Sequence, residues 1–369
     1  MKAKRVSVLL LCLGMVCAGC KHEEKHPQIS DGINANQNQE VISETQSAIE
    51  IPEEYCHEAG NIKFDTAISV PETVKQSGMK KVSASLQKID CEKAFQCLME
   101  NAEINNSGEN GSQKWYEGTN QNVLSVSPES LSYSTKFNVY VSNAFRLQKG
   151  YSDYNADKYS TEYNLKFETK ENAFKNIKTT LETMGIKIED TYTCYALDYE
   201  TMKQEEAAMD MDGNEASQFY KENWTEEDDS YFFLIYQEYE SIPSYHVFYD
   251  TIPILSEENA PVQVLYNKDG IQFLQIEKMF DYTETQGTYP LKDFSEIAKV
   301  IEKKYGMLLG NSTYEVTSAS LYYMESKVTE SEYEVQPVWI FFIKENSTGE
   351  ILQDIVNAQT GEEVIWKQN

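Results

Sequence analysis

LKDFSEIAKVIEKKYG (291–306), YEVTSASLYYMESK (314–327), VQPVWIFFIKE (335–345) and ILQDIVNAQTGEEVIW (351–366) carry the cleanest pattern in the chain. In the first, Phe294, Ile297, Val300 and Ile301 recur at helical spacing; Pro290 and Asp293 open the helix and Gly306 stops it. The other three read as strands of an antiparallel meander, with a last turn over Asn357-Ala358-Gln359-Thr360-Gly361-Glu362 and a closing strand through Val364–Trp366. A helix with one apolar stripe and a sheet with one apolar face bury each other, so this third of the chain predicts α+β packing.

Working outward, APVQVLYNKDGIQFLQIEKMFDYTET (260–285) reads as a hairpin around Asn267-Lys268-Asp269-Gly270. TKENAFKNIKTTLETMG (169–185) predicts a helix capped by Thr169, with Ala173, Ile177, Leu181 and Met184 on one face and Gly185 as its stop. YNLKF (163–167), IKIED (186–190) and TYTCYALDY (191–199) read as strands, YETMKQEEAAMDM (199–211) as a short acidic helix, and DSYFFLIYQEYESIPSYHVFYD (229–250) as two strands joined around Glu240–Pro243. Nearer the start, KFDTAISVP (63–71) predicts a strand, and Asp90 caps a helix from Cys91 to about Ala102 with Phe95, Leu98 and Met99 inward. NNSGENGSQKWYEGTN (105–120) has the composition of a loop. FNVYVSNAF (137–145) alternates at Phe137, Val139 and Val141 as a strand does. The order helix, strand, aromatic hairpin occurs twice, so the expected fold is α+β with two related units of helix packed on antiparallel sheet.

MKAKRVSVLLLCLGMVCAGC (1–20) has a basic head at Lys2, Lys4 and Arg5, an apolar run over Val6–Val16, and small Ala18 and Gly19 before Cys20. The run is shorter than the roughly 20 residues that cross a bilayer core, and it reads as a signal peptide. The Ala-Gly-Cys ending resembles a bacterial lipoprotein signal, which implies cleavage before Cys20 and acylation of its thiol. The position three before that cysteine holds Cys17, where such signals usually carry an aliphatic side chain. The polar segment that follows buries too little to fold, and its His22 and His26 read as solvated tether. The expected organisation is signal peptide over 1–19, tether over 20–55, an N-terminal α+β domain over 56–256 and a C-terminal one over 257–369.

The 369-residue chain carries a formal charge of −28, which argues against nucleic acid as a partner. It also argues against a body lying flat on an anionic membrane; the expected membrane link is the N-terminal lipid alone. Of seven cysteines, Cys12 and Cys17 leave with the signal, Cys20 is the lipidation candidate, and Cys56, Cys91, Cys97 and Cys194 remain. An even number outside the cytoplasm admits disulfides. Cys91–Cys97 is the candidate pair, with Cys56 an alternative partner for either. Tyrosine is abundant, at 25 residues. Such side chains suit half-exposed sheet faces and contact surfaces alike, and Trp339, Tyr236 and Tyr239 are the candidate contact residues.

Val338, Trp339, Phe341, Ile355, Val356, Ala358, Thr360, Gly361 and Val364 resemble the end of a PepSY-type module, with Asn357 where that pattern carries Asp. YFFLIYQEYESIPSYHV (231–247) and the hairpin after it are similar to YycH/YycI-like extracytoplasmic regulators, of whose bend only Ile242-Pro243 is kept. Over its whole length the chain resembles lipoproteins of unknown function from gut Firmicutes. The resemblance implies a short helix against an antiparallel sheet, and action by protein contact.

No catalytic signature stands against that expectation. His57 and His246 lie far apart in sequence, no serine sits in a glycine-flanked elbow, and no His-Glu-x-x-His run occurs. DMDGNEAS (210–217) echoes a calcium loop without its later bidentate Glu. The expected activity is therefore binding or regulation of an envelope protein or peptide, with no cofactor, no metal and no catalysis. A glycan- or solute-binding lipoprotein and an envelope hydrolase using paired carboxylates are the rival readings.

Overall fold

In the computed structural model, residues 51–148, 153–207, 219–246, 260–308, 310–329 and 332–364 are described. Cys20, the signal segment, the tether up to residue 50, the whole calcium-like run and Trp366 lie outside them.

In chain order the elements are β1 (Glu54–Ala59), β2 (Ile62–Ser69), α1 (Glu72–Ser77), β3 (Lys80–Leu86), α2 (Cys91–Met99), β4 (Ile104–Asn110), β5 (Gln113–Gly118), β6 (Val123–Val126), β7 (Ser130–Ser134) and α3 (Lys136–Ala144). Then come α4 (Lys170–Thr183), β8 (Tyr192–Leu197), α5 (Tyr199–Glu205), β9 (Ser230–Ile235), β10 (Glu238–Tyr239), β11 (Ile242–Pro243), β12 (Val262–Asn267) and β13 (Gly270–Glu277). The chain ends with β14 (Phe280–Thr288), α6 (Phe294–Gly306), β15 (Tyr314–Lys327), β16 (Tyr333–Glu345) and β17 (Ile351–Asn357).

Two large sheets result. The first runs β1-β2-β15-β16-β3-β14, with β17 also against β16; the second runs β4-β5-β6-β7-β13-β12-β9-β8. Each sheet takes strands from both sides of residue 257. All pairings are antiparallel except β2 with β15. The fold is α+β, with helices packed on both sheets.

Strands buried on both faces read as continuous apolar runs rather than alternating ones. In β16, Trp339, Phe341 and Ile343 join the core that includes Phe294, Ile297 and Ile301 of α6, while Val338, Ile340 and Phe342 pack with Tyr245 and Met324 on the other face. In β9, Tyr231, Phe233 and Ile235 meet α4, and Phe232 and Leu234 join the cluster that contains Val141 and Ala144 of α3 and Met202 of α5. The second sheet is thus covered by helices on both faces, one layer more than the expected helix on sheet.

Several local expectations hold. Asp90 accepts from the amides of Glu92 and Lys93, and Thr169 from that of Asn172, so both predicted N-caps are made. Ala173, Ile177, Leu181 and Met184 are all buried, and Gly185 takes φ +90°. A Cβ on Gly185 would also lie 3.1 Å from the Lys88 carbonyl oxygen. Gly185→Ala should therefore cost about 1–3 kcal/mol, read from a denaturant midpoint that moves without a change in slope.

Others are corrected. FNVYVSNAF lies in helix α3 and its C-terminal cap, because Phe137, Val141 and Ala144 also satisfy helical spacing and all three join the cluster that holds Trp224. The alternation at 137, 139 and 141 was compatible with both periods. The loop-like 105–120 builds the hairpin β4–β5: Gly111 at φ +61° makes its turn, and Gly108, where a Cβ would stand 2.6 Å from the Trp115 ring, lets the indole lie across the neighbouring strand. YNLKF and IKIED are not strands; Leu165, Ile186 and Ile188 are buried from irregular backbone, and the Leu165 amide donates to the Tyr231 hydroxyl at 2.6 Å. The poorly patterned stretch around Cys56 and His57 forms β1, an edge strand, which begins at Glu54 within the expected tether.

Candidate functional site

Three connections meet at one place: Gln87 after β3 and Lys278–Met279 between β13 and β14 pass between the two sheets, and Gln237 after β9 leaves the second sheet for the hairpin β10–β11. Polar backbone leaving a sheet loses its ladder partners and must find others. Two buried glutamines supply them, each 7% exposed. Gln237 Nε2 donates to the Phe280 carbonyl at 2.5 Å and its Oε1 accepts from the Phe280 amide at 3.0 Å, standing in for a neighbouring strand. Gln87 Nε2 donates to the same carbonyl at 3.1 Å, its Oε1 accepts from the Lys187 amide at 2.9 Å, and its own amide donates to the Met279 carbonyl at 2.8 Å.

A cavity of about 210 Å³ opens at this seam. On one side it is walled by Gln237, Glu238 and Tyr239, on the other by Met279, Phe280, Asp281 and Tyr282, with Gln87, Lys187 and Glu189 completing the lining. The rings of Tyr239 and Tyr282 stand 5.8 Å apart at 53°, and both contact Tyr323 of β15. The lining includes three acids, Glu189, Glu238 and Asp281, and one base, Lys187.

Behind Tyr282 lies Glu325 of β15. The Tyr282 hydroxyl donates to one of its carboxylate oxygens, and the Ser244 hydroxyl donates to the other at 3.0 Å. Loss of water pushes the Glu325 carboxyl up to about 7 against the pull of both hydroxyls, and burial beside that carboxylate raises the Tyr282 phenol well above its ordinary value. Ser244 also pairs with Tyr323 in a parallel bridge, and the Tyr245 amide donates to the Tyr323 carbonyl at 2.7 Å. The hairpin β10–β11 and the residues after it are therefore strapped to β15. Lys80 joins the turn of that hairpin to β14, at 2.7 Å from Glu240 and 3.0 Å from Glu284.

Among the candidate contact residues, the structure places only Tyr239 at this site. Tyr236 is half-buried with the cluster on the α3 face of the second sheet, its hydroxyl 3.4 Å from Thr193 Oγ1. Trp339 is 1% exposed, with its ring 5.0 Å from that of Phe294 beneath α6, and is withdrawn as a contact residue: a side chain filling the helix–sheet core cannot touch a partner. Cys91 and Cys97 are free thiols, as are Cys56 and Cys194. Six residues on one helix separate the first two by about 9 Å along its axis, beyond the roughly 7 Å that a disulfide spans, so the expected bridge is not made. Cys194 packs in the core with α4, and desolvation raises its thiol, the opposite of what a nucleophile needs. His57 is exposed and 3.6 Å from Glu302. Burial lowers the His246 imidazole to about 3. Among the described residues no group of three or more His, Cys, Asp or Glu is placed to hold a metal, and no helix is long and apolar enough to cross a membrane.

Sequence reasoning missed Gln87, Gln237, Ser244, Tyr282 and Glu325. The one local signal was a Gln-Glu pair interrupting the aromatic run Tyr231–Tyr239, which marks where the chain leaves a sheet.

The fold and site define an α+β protein of two helix-covered sheets with an aromatic, acid-lined cavity at their seam. No family model matches the chain, and no curated protein does. Among solved structures, an uncharacterised protein from Eubacterium rectale ATCC 33656 superposes with a TM-score of 0.56 at 20% identity, over 86% of this chain and 94% of that one. The C-terminal domain of YpeB from Bacillus megaterium aligns over 75% of this chain and 96% of that domain at 10% identity, with a TM-score of 0.28. The first is a likeness of fold; the second is too low to carry a conclusion. The residues of the PepSY-type resemblance fall on β16, β17 and the turn and bridge after them, and α6 packs on the sheet they build.

Proposed function

We propose that the chain is an extracytoplasmic protein, lipid-anchored at Cys20, that acts by binding an extended segment of a protein or peptide and performs no chemistry on it. One observation carries this reading: β14 ends the first sheet with only β3 beside it, and its residues Phe280–Tyr282 also wall the seam cavity. Strand addition to a sheet edge draws affinity from main-chain bonds and specificity from pockets for alternate side chains, and β14 offers both. The Met279 carbonyl accepts from Gln87 and so faces β3; alternation turns the backbones of Phe280, Tyr282 and Glu284 away from β3. Gln237 already occupies that of Phe280 and Tyr282 is half-buried against Tyr239 and Tyr323, which leaves the exposed Glu284 to a partner strand. The cavity supports peptide contact over glycan binding, since it is below the roughly 300 Å³ at which small-ligand pockets begin. Glu325, the acid with the raised carboxyl, does not line it.

Glu284→Pro removes the outward amide while leaving the β3 ladder in place, which an edge strand tolerates. Pull-down with the full acylated chain from solubilised membranes should recover a partner that this variant retains at least about tenfold more weakly, roughly 1.4 kcal/mol, at an unchanged melting temperature. Equal recovery by both proteins, or no partner with either, removes the edge-docking reading.

A further inference from the structure

We infer that the seam cavity binds a primary alkylammonium group, presented as a lysine side chain by an extended peptide lying along β14. The inference rests on the edge-docking reading and names the chemistry that the pocket selects. Three observations point the same way. Tyr239 and Tyr282 both line the cavity with their rings 5.8 Å apart, and the electron-rich face of an aromatic ring attracts a desolvated cation. The lining holds three acidic residues, Glu189, Glu238 and Asp281, and one basic residue, Lys187. Behind the Tyr282 wall, Glu325 is held by two hydroxyl donors, and among the described residues no Lys, Arg or His makes a salt bridge with it.

The groups around Glu325 are neutral. Tyr282 comes from β14, Ser244 from the strap after β11 and Tyr323 from its own strand; Tyr289, after β14, also feels its charge. Tyr239 of β10 stands against both Tyr282 and Tyr323, and Lys80, whose carbonyl accepts from the Tyr323 hydroxyl, spends its ammonium on Glu240 and Glu284. A buried carboxyl without a counter-cation holds its proton, which is the direction found. A cation entering the cavity supplies the missing charge, so binding and ionisation of Glu325 favour each other. The chain's own formal charge of −28 draws basic segments toward it. An ammonium, a compact point charge on a flexible stem, suits a space of about 210 Å³ better than a planar guanidinium that seeks two in-plane acceptors.

The test is calorimetric titration of the full acylated chain in detergent micelles with three probes. These are a blocked nonapeptide of alternating threonine and valine with one central lysine, the same peptide with norleucine in its place, and n-butylamine. The lysine peptide should bind saturably, and the norleucine peptide at least about tenfold more weakly. Lysine stays charged throughout, yet wild-type affinity should fall about tenfold between pH 8 and pH 5.5 as Glu325 takes a proton, the equivalent of one pKa unit of coupling. Glu325→Gln should bind with less than about a twofold change over that range. Tyr239→Leu, which leaves Tyr282 and Glu325 in place, should weaken the lysine peptide more than the norleucine one. Equal affinity for the two peptides overturns the ammonium assignment, and if that binding is still lost in Glu284→Pro the edge-docking reading survives it. Butylamine binding as tightly as the lysine peptide leaves an amine site and overturns the peptide source. Failure of the lysine peptide to bind wild-type protein overturns the inference, while a partner recovered by wild type and lost by Glu284→Pro would still support edge docking.

Discussion

Trp339→Ala destabilises the protein by about 3–5 kcal/mol, the usual cost of emptying an aromatic site in a closed core. Trp339 sits at 1% exposure in the middle of β16, with its ring at 78° to Phe294 of α6 and neighbours Phe341 and Val356 equally enclosed. Nothing adjacent is free to collapse into the space, because β16 is paired along its length with β15 and over its second half with β17. The indole N–H is buried without a hydrogen-bond acceptor. Trp339→Phe, which removes that donor and part of the volume, should therefore cost much less, about 1–2 kcal/mol. Denaturant unfolding of both variants checks the ordering. A Trp339→Ala protein within about 1 kcal/mol of wild type would mean that the residue is not enclosed as described.

Glu325→Gln raises stability at pH 8 and does so by much less at pH 5. The folded carboxyl is pushed up to about 7, whereas in the unfolded chain it returns to the ordinary glutamate range near 4.3. The folded state therefore holds a proton that the unfolded state has released between those two values. Stability from this group is fully present below about pH 4 and declines as pH rises through the window. The cost is fully expressed above about pH 7, at no more than roughly 4 kcal/mol. Glutamine stays neutral throughout, and its carbonyl oxygen still accepts from Tyr282 or Ser244. The difference between variant and wild type isolates this group from the repulsion among the chain's many other acids. Unfolding free energies at pH 8 and pH 5 test it: the same difference at both pH values would show that Glu325 does not titrate in that window.

What the sequence determined by itself is local and periodic. The caps of α2 and α4, the buried face of α4, the turn Asn267–Gly270 between β12 and β13, and the run β15–β16–β17 follow from spacings of two to four residues, which fix which face of each element is apolar. The acidic balance, a formal charge of −28, is equally independent of folding. α3 could not be read, because three apolar residues at 137, 139 and 141 fit a strand while 137, 141 and 144 fit a helix, and only packing in the cluster that holds Trp224 selects between them.

The site belonged to tertiary structure. Gln87 and Phe280 are 193 positions apart, Gln237 and Phe280 43, and Tyr282 and Glu325 43. No short-range pattern encodes such a meeting; it arises from strand order, which threads three connections through one seam. Burial followed the same logic, turning Trp339 from a candidate contact into core and Glu325 from one acid among many into one that holds its proton. Exposure and proton affinity depend on what surrounds a side chain, and those surroundings exist only once strands distant in sequence have paired.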